Sequence, residues 1–499
     1  MNGDDAQIGK ASTGTLLQPG QNCWRVEPAD RVAVIIDAAA YFATIRAAIL
    51  NAHHSVILIG WDFDTRIPLQ RPAKKAQQPN KLGDFLTWAI DQRPELNIYV
   101  LRWDLGAFNG LARGSTSLVM LDWITSKRIR FKLDGAHPSG SAHHQKIVVI
   151  DDTLAFCGGI DMTADRWDTR AHLDDDPQRV RPTTKRKYAP WHDVSTAVDG
   201  PAARALGELA RDRWYCATGE KIAPPPPLPS AWPEGLKPDL QDVQVALSRT
   251  APEYEDRDGI HEIEALYLAA IAAAKRCIYI ESQYFASRRL VKAMANRLRE
   301  QDGPEIVVIN PESADGWLEE AVMGASRAKM LDIIGKADHR NRFRMYTPVT
   351  AGRNPIYVHA KVMIVDDIFL KVGSSNINNR SLGFDTECDL SVEVSATDAH
   401  AAESSAAIMR LRHDLLSEHL GVEIADMERA VTAADGVLID AIESLMSDGR
   451  SLVAFVPPEI GTAQDSLLSE NGFFDPERAA SRWKGPKRLW RRVARSLRL

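Results

Sequence analysis

The sequence predicts an α/β protein made of two tandem repeats. The pattern H-x-K-x4-D occurs twice, as His144, Lys146 and Asp151 and again as His359, Lys361 and Asp366. A small-residue pair follows each copy at the same interval, Gly158-Gly159 after the first and Gly373-Ser374 after the second. The same order of helices and strands precedes both copies, and a proline-rich stretch, Ala223 to Pro229, lies between the halves as a stiff connector.

Taken in order, residues 1–30 read as a loose lead-in. Alanine-rich 38–52 reads as a helix and SVILIG, 55–60, as a buried strand. Residues 82–92 show helical spacing, and strands follow at 96–101 and 128–133. The second half repeats this with helix 261–275, strand 277–282, helix 289–300, strand 305–310 and strand 342–346. The resulting division is 1–30 lead-in, 31–221 first repeat, 222–238 linker, 239–420 second repeat and 421–499 C-terminal extension. Residues 161–192 and 103–122 break the repeat; each reads as a solvated insertion or as a lining of the substrate entrance.

In the second motif, His359 and Lys361 are two apart and leave the same face of an extended chain. Val362 to Val365 continue as an apolar run suited to burial on both faces, and Asp366-Asp367 supplies turn chemistry. A hairpin there returns Gly373, Ser374 and Asn376 beside His359 and Lys361. An imidazole, an ammonium, a hydroxyl and an amide together suit a phosphate ester. Its anionic oxygens need neutralising and its leaving oxygen needs a proton. Lys146 and Lys361 supply positive charge, with Ser374, Asn376 and the backbone of Gly158 and Gly159 as further phosphate-binding groups. The sequence shows no His/Asp/Glu cluster at metal-ligand spacing, so no metal is expected in the site and the lysines take the place of a metal clamp. Two histidines allow nucleophile and general acid to be separate groups, with a covalent phosphohistidine between two steps.

Composition narrows the setting. Hydrophobic residues make up 44% and charged residues 26%, as in a soluble globular protein, and the net charge of −6 gives no reason to expect a nucleic-acid partner. Five cysteines without a C-x-x-C pair suit buried thiols in a reducing compartment. MNGDDAQIGK lacks the apolar core of a secretory signal, and Val32 to Leu50 contains Asp37 and Arg46, so neither a signal nor an anchor is expected. A cytoplasmic protein that meets membranes peripherally is the expectation; export by a signal-independent route is compatible with the same residues.

The paired motifs with their Gly-Gly and Gly-Ser tails resemble the phospholipase D superfamily. GGIDMTADRWDT (158–169), PWHDVSTAVDGPAARAL (190–206), YIESQYF (279–285) and GSSNINNRS (373–381) are similar to the catalytic core of the eukaryotic-like enzymes. The resemblance covers residues 30–420. It implies mixed sheets flanked by helices, packed about a pseudo-two-fold with one shared active site, hence a monomer. It also implies a phospholipase D that cleaves the distal phosphodiester of glycerophospholipids, with possible transphosphatidylation. The alternatives are a cardiolipin synthase-type phosphatidyltransferase and a phosphodiesterase or nuclease of the same superfamily. His144 would be the nucleophile and His359 the general acid, with Asp193 orienting His144 and Glu387 orienting His359. Asp151 and Asp366 belong to the implied catalytic motif and read as structural acids that fix the hairpin or pair with a basic neighbour. Asp161 stands where many members have Asn; as an acceptor it is a poor phosphate ligand. No cofactor is required for this chemistry, and calcium is expected at most to assist at lipid surfaces.

Residues 422–446 read as one or two helices. The last stretch, PKRLWRRVARSLRL (486–499), places Leu489, Trp490, Val493 and Leu497 on one face and basic residues on the other. That is the pattern of an interfacial helix drawn to anionic lipid.

Overall fold

The computed structural model describes residues 15–72, 78–104, 123, 126–313 and 317–457, without the side chains of 317–322. The basic amphipathic stretch 486–499, most of 103–122 and the first part of the lead-in lie outside these residues.

The chain opens with β1 (Arg25–Ile36), α1 (Ala38–Leu50), β2 (Ser55–Gly60), α2 (Leu82–Gln92), β3 (Asn97–Trp103) and β4 (Ile129–Asp134). The hairpin β5 (Ile147–Ile150) and β6 (Leu154–Gly158) follows, then β7 (Trp191–His192), β8 (Val194–Asp199) and α3 (Pro201–Thr218). The second half runs β9 (Leu240–Ala251), β10 (Ile260–His261), α4 (Glu262–Ala273), β11 (Cys277–Glu281), α5 (Arg288–Arg299), β12 (Glu305–Ile309), α6 (Trp317–Gly335) and β13 (Phe343–Val349). It continues with β14 (Tyr357–Val358), β15 (Val362–Val365), β16 (Phe369–Gly373), α7 (Asn379–Gly383), β17 (Glu387–Glu393) and α8 (Ala401–Leu420). Helices α9 (Ile424–Ala433) and α10 (Leu438–Leu445) and strand β18 (Ser451–Ala454) complete it.

One mixed sheet carries both repeats, in the order β18-β13-β12-β11-β15-β16-β17-β9-β1-β8-β6-β5-β2-β3-β4. The order is symmetric about the antiparallel pair β9–β1, so the pseudo-two-fold passes between two equivalent strands. Helices cover both faces. On one, α1 and α2 pack over the first repeat, and α4 and α5 over the second, as separate cores. On the other, a core shared by both repeats lies under α3, α8, α9 and α10.

The central strands correct the reading of residues 1–30 as a loose lead-in. Arg25 to Asp30 belong to β1, Cys23 is buried, and Leu16 and Leu17 donate their backbone N–H groups to Glu393 at 2.8 and 3.0 Å. Glu27, Pro28 and Asp30 break the apolar alternation that announces a strand, which is why the central pair is quiet in the sequence. Residues 219–239, around the proline-rich connector, hold no helix or strand. Four of the cysteines are buried and none is paired in a disulfide. No helix among the described residues is long and apolar enough to cross a membrane.

Asp151 and Asp366 sit at equivalent hairpin turns with φ of 52° and 53°, a region that Asp tolerates. Asp151 accepts hydrogen bonds from the backbone N–H groups of His53, His54 and Ser55, and Asp366 from those of Lys275, Arg276 and Cys277. Each acid therefore ties its hairpin to the start of the neighbouring strand, and its implied place in the catalytic set is corrected to that of a structural acid. Asp366→Asn keeps a carbonyl oxygen for the Arg276 and Cys277 N–H groups but sets an amide NH2 against that of Lys275, and should cost about 1–3 kcal/mol of stability. The expected result is a lower urea midpoint with turnover within a few-fold of the parent at 20 °C; unchanged stability with lost turnover would return Asp366 to the chemistry.

Candidate active site

The segment before each H-x-K motif pairs with the chain of the opposite repeat. β14 runs parallel to β7, Tyr357 opposite Trp191 and Val358 opposite His192, and the His359 N–H donates to His192 O at 2.8 Å. In the other half His143 bridges Thr386, and the His144 N–H donates to Thr386 O at 3.0 Å. The residue following each pairing is an acid, Asp193 or Glu387.

This crossing reverses the expected histidine–acid pairs. His144 Nδ1 donates to Glu387 Oε2 at 3.0 Å and to Ser374 O at 3.1 Å; His359 Nδ1 donates to Asp193 Oδ2 at 2.7 Å. Asp193 thus orients His359 and Glu387 orients His144. Within one repeat β6 lies between β5 and β8, which sets the acid two strands from its own motif, about 10 Å away. Only the partner repeat's acid is within reach. With Nδ1 holding the proton, Nε2 of each ring keeps a lone pair.

Gly159 and Ser374 serve this bracing, while Gly158 and Gly373 admit the close approach of the neighbouring strand. A Cβ on Gly159 would lie 2.1 Å from Asp193 Oδ1, one on Gly158 2.4 Å from Ser195 Cα, and one on Gly373 2.0 Å from Asp389 Oδ1. The N–H groups of Gly158 and Gly159 are taken up by Lys146 O and Val194 O. The buried hydroxyl of Ser374 donates to Glu387 Oε2 at 2.5 Å. Gly159 and Ser374 are therefore corrected from phosphate contacts to supports of the acids, and Gly158 to the close approach of β8 at Ser195. The two halves differ accordingly: Asp193 approaches a glycine, whereas the longer Glu387 meets a serine.

The lysines are also unlike. Lys146 Nζ pairs with Asp161 Oδ2 at 3.1 Å and donates to His144 O at 2.9 Å. Asp161 Oδ1 accepts from the Trp61 N–H, so the acid that replaces Asn is a counter-ion to Lys146. Among the described residues, Lys361 Nζ has only neutral hydrogen-bond partners, His359 O and Gln283 Oε1, the latter at 3.4 Å. Asn376 Nδ2 meets the same Gln283 oxygen at 3.5 Å, and Asn376 Oδ1 is buried without a partner.

Sequence reasoning singled out neither Gln283 nor Arg166. Arg166 is buried, stacks over the Trp191 ring at 4.2 Å, and donates to Asp165 O at 3.5 Å, with no ion pair to a carboxylate among the described residues. Trp191 in turn lies 5.1 Å from the His359 ring and stacks on Tyr357 at 4.5 Å. Both residues sit inside stretches quoted above, RWDT and YIESQYF, but only the fold shows which side chains turn inward. With Arg166, Trp167, Asp168 and His172 buried, the first part of 161–192 is anchored to the site, while 173–175 and 183–187 are exposed to solvent.

Burial acts on every charge here. It pushes Lys361 down to about 7, aided by Lys146, against the pull of Asp193 and Glu387. Burial and the lysines hold His144 well below the usual histidine range; burial, Lys361 and Arg166 do the same for His359. Burial pushes Glu387 up to about 8 and raises Asp193 as well. The site holds two neutral imidazoles beside buried cations, an arrangement that invites an anion and allows one ring to attack while the other moves a proton.

A further cluster stands behind the site. Asp37, His172, His192 and Glu418 are all buried, with ligand atoms within 4.8 Å of one another; His192, Glu281 and His419 form a second such group. Its members are scattered from residue 37 to residue 419, which is why no metal-ligand spacing shows in the sequence.

Comparisons with known proteins agree with this geometry. The family described as Phospholipase D matches residues 48–294, and the one described as Cardiolipin synthase, PLD-like domain, matches residues 267–408. Phospholipase D A of Dictyostelium discoideum is 26% identical over 468 residues, 78% of this chain and 36% of that protein. Phospholipase D alpha 1 of Vigna unguiculata is 25% identical over 520 residues, 75% of this chain and 63% of that protein. The chain thus spans between about a third and two thirds of the length of these relatives. In fold it is similar to the phosphatidylserine synthase of Haemophilus influenzae, with a TM-score of 0.50 at 11% identity over 83% of this chain and 97% of that one. With one match holding the first H-x-K-x4-D motif and the other the second, the chain belongs to the phospholipase D superfamily.

Proposed function

We propose that this protein is a phospholipase D, which hydrolyses the distal phosphodiester of glycerophospholipids to phosphatidate and the free head-group alcohol. The observation that carries the reading is the crossed pair of carboxylate-oriented imidazoles beside Lys146 and Lys361. In the first step His144 Nε2 forms a bond to phosphorus and the head-group oxygen leaves with a proton from His359 Nε2. His359 Nε2 takes that proton from solvent as the anionic substrate enters. In the second step water attacks the phosphohistidine, giving its proton to His359 and releasing phosphatidate and His144. An alcohol in place of water gives phosphatidyl transfer, the reading that the cardiolipin synthase-type match to 267–408 favours as second. Lys361, Asn376 and Arg166 bind the phosphoryl oxygens, and no divalent cation touches the phosphate. Any stimulation by calcium comes from bridging head groups at the lipid surface. The protein works as a monomer at that surface, without nucleic acid, and 486–499 provides contact with anionic lipid.

A panel of purified phospholipids, scored for phosphatidate against released head group, tests the reaction. Turnover of plasmid DNA with none of phospholipid would contradict it. Variants divide the roles of the histidines. His144→Ala should be inactive on every substrate. His359→Ala should fail with choline or ethanolamine as leaving group, yet give a burst of p-nitrophenol followed by a stall, with the phosphatidyl label on His144. Label on His359 in the His144→Ala variant reverses the two roles.

The ammonium of Lys361 is charged below its pKa of about 7 and neutral above it. Capture of the anionic substrate by the free enzyme therefore weakens as pH rises through that value, which gives kcat/KM an alkaline limb. Lys361→Arg stays charged throughout. Its normalised profile should lose that limb even where its rate is lower; an unchanged limb would place the titration elsewhere.

A further inference from the structure

Behind His359, four side chains from four separate parts of the chain converge. Asp37 leads into α1, His172 lies in the 161–192 segment, His192 is in β7 and Glu418 is in α8. His172 Nε2 lies 3.0 Å from Glu418 Oε1 and 3.4 Å from Asp37 Oδ2; His192 Nδ1 lies 2.9 Å from the same Glu418 oxygen and 3.3 Å from Asp37 Oδ1. A tetrahedral ion with bonds of about 2.0 Å holds its ligand atoms about 3.3 Å apart. The two edges from the shared Glu418 oxygen lie just below that spacing, and Asp37 meets each ring at about that spacing through a different oxygen.

The outer contacts are those of ligands. His172 donates its other ring N–H to Asp168 at 3.0 Å, and His192 donates its own to Glu281 at 2.9 Å. Each ring is thereby fixed with its remaining nitrogen turned to the common centre, as in carboxylate–histidine–metal arrangements. Asp168 and Glu281 are themselves held, by Arg179 and the Trp191 N–H in one case and by Tyr279 and His419 in the other. Asp37 Oδ2 is a carboxylate oxygen with 1% residue exposure and no hydrogen-bond donor. As the residue before α1, Asp37 is placed to cap the helix, and its side chain accepts none of the helix N–H groups. It is turned to the histidines and to the Asp193 N–H, which donates to Asp37 Oδ1 at 3.2 Å.

We propose that Asp37, His172, His192 and Glu418 bind one zinc-type divalent cation in tetrahedral N2O2 coordination. Two imidazoles and two carboxylates suit a borderline ion of this kind. The ion has a positioning role. It clamps both repeats and α8 onto β7, whose His192 carbonyl receives the His359 N–H and whose next residue is Asp193. The competing arrangement is two imidazolium cations, which supply the same two positive charges without a metal.

Metal content and spectroscopy decide between them without any use of activity. Full-length protein is equilibrated with Zn2+, freed of loosely held ion by desalting, and analysed by mass spectrometry for zinc and by X-ray absorption at the zinc edge. The proposal expects close to one zinc per chain, two nitrogen and two oxygen ligands at about 2.0 Å, and, after loading with Co2+, the intense visible bands of a tetrahedral site. Asp168→Asn keeps all four ligands and removes only the orienting carboxylate, so zinc affinity should fall by about 10–100-fold with the fold intact by circular dichroism. His172→Gln should abolish binding; where that variant does not fold, the absorption spectrum of the unaltered protein decides. Less than about a tenth of an ion per chain, six-coordinate Co2+, or zinc held equally by folded Asp168→Asn and His172→Gln would overturn the site in favour of the imidazolium pair.

Discussion

Each catalytic-site histidine is braced by a carboxylate of the other repeat, and much of the architecture serves that exchange. His144 leans on Glu387 and His359 on Asp193, through hydrogen bonds of 3.0 and 2.7 Å. Neither repeat alone supplies both a motif histidine and the carboxylate that orients it. The continuous sheet, with β9 and β1 at its centre, fixes the two halves in register, and the short pairings of β14 with β7 and of His143 with Thr386 deliver the acids. A duplicated fold thus becomes one obligatory unit.

Burial gives the bracing its chemical force. A carboxylate at an imidazole in water adds little, but here Asp193, His359 and Glu387 are buried and His144 keeps only 17% side-chain exposure, so orientation and proton position are strongly held. The duplication is symmetric in backbone and asymmetric in charge. Lys146 is neutralised by Asp161, while Lys361 faces only amide and carbonyl oxygens. Gly159 lets the short Asp193 approach, while Ser374 hands a hydroxyl proton to the longer Glu387. These differences are the means by which two equivalent motifs take unequal parts in the proposed two-step reaction.

Much of this was legible in the sequence because local signals carried it. Strands such as SVILIG and EIVVI and the turns at Asp151 and Asp366 lie where periodicity and turn chemistry place them, and the repeated motif marks His144, Lys146, His359 and Lys361 at once. What escaped depends on contacts far apart along the chain. The central strand β1 was masked by Glu27, Pro28 and Asp30, since its partner β9 begins some two hundred residues later. Which acid serves which histidine is a property of the two-fold and not of spacing. Gln283 and Arg166 turn inward only in the assembled site, and Asp37, His172, His192 and Glu418 meet only once both repeats and α8 are in place.

The crossed bracing is tested most directly by NMR of the histidine rings in protein labelled with 15N at histidine, read near neutral pH. A proton on Nδ1 shared with a buried carboxylate gives a far-downfield resonance for each of His144 and His359, assigned through His144→Ala and His359→Ala. The account predicts that Asp193→Asn removes or shifts the His359 signal and leaves that of His144, and that Glu387→Gln does the reverse. Loss of the His144 signal in Asp193→Asn, with the His359 signal retained, would mean that each repeat braces its own histidine and would contradict the account.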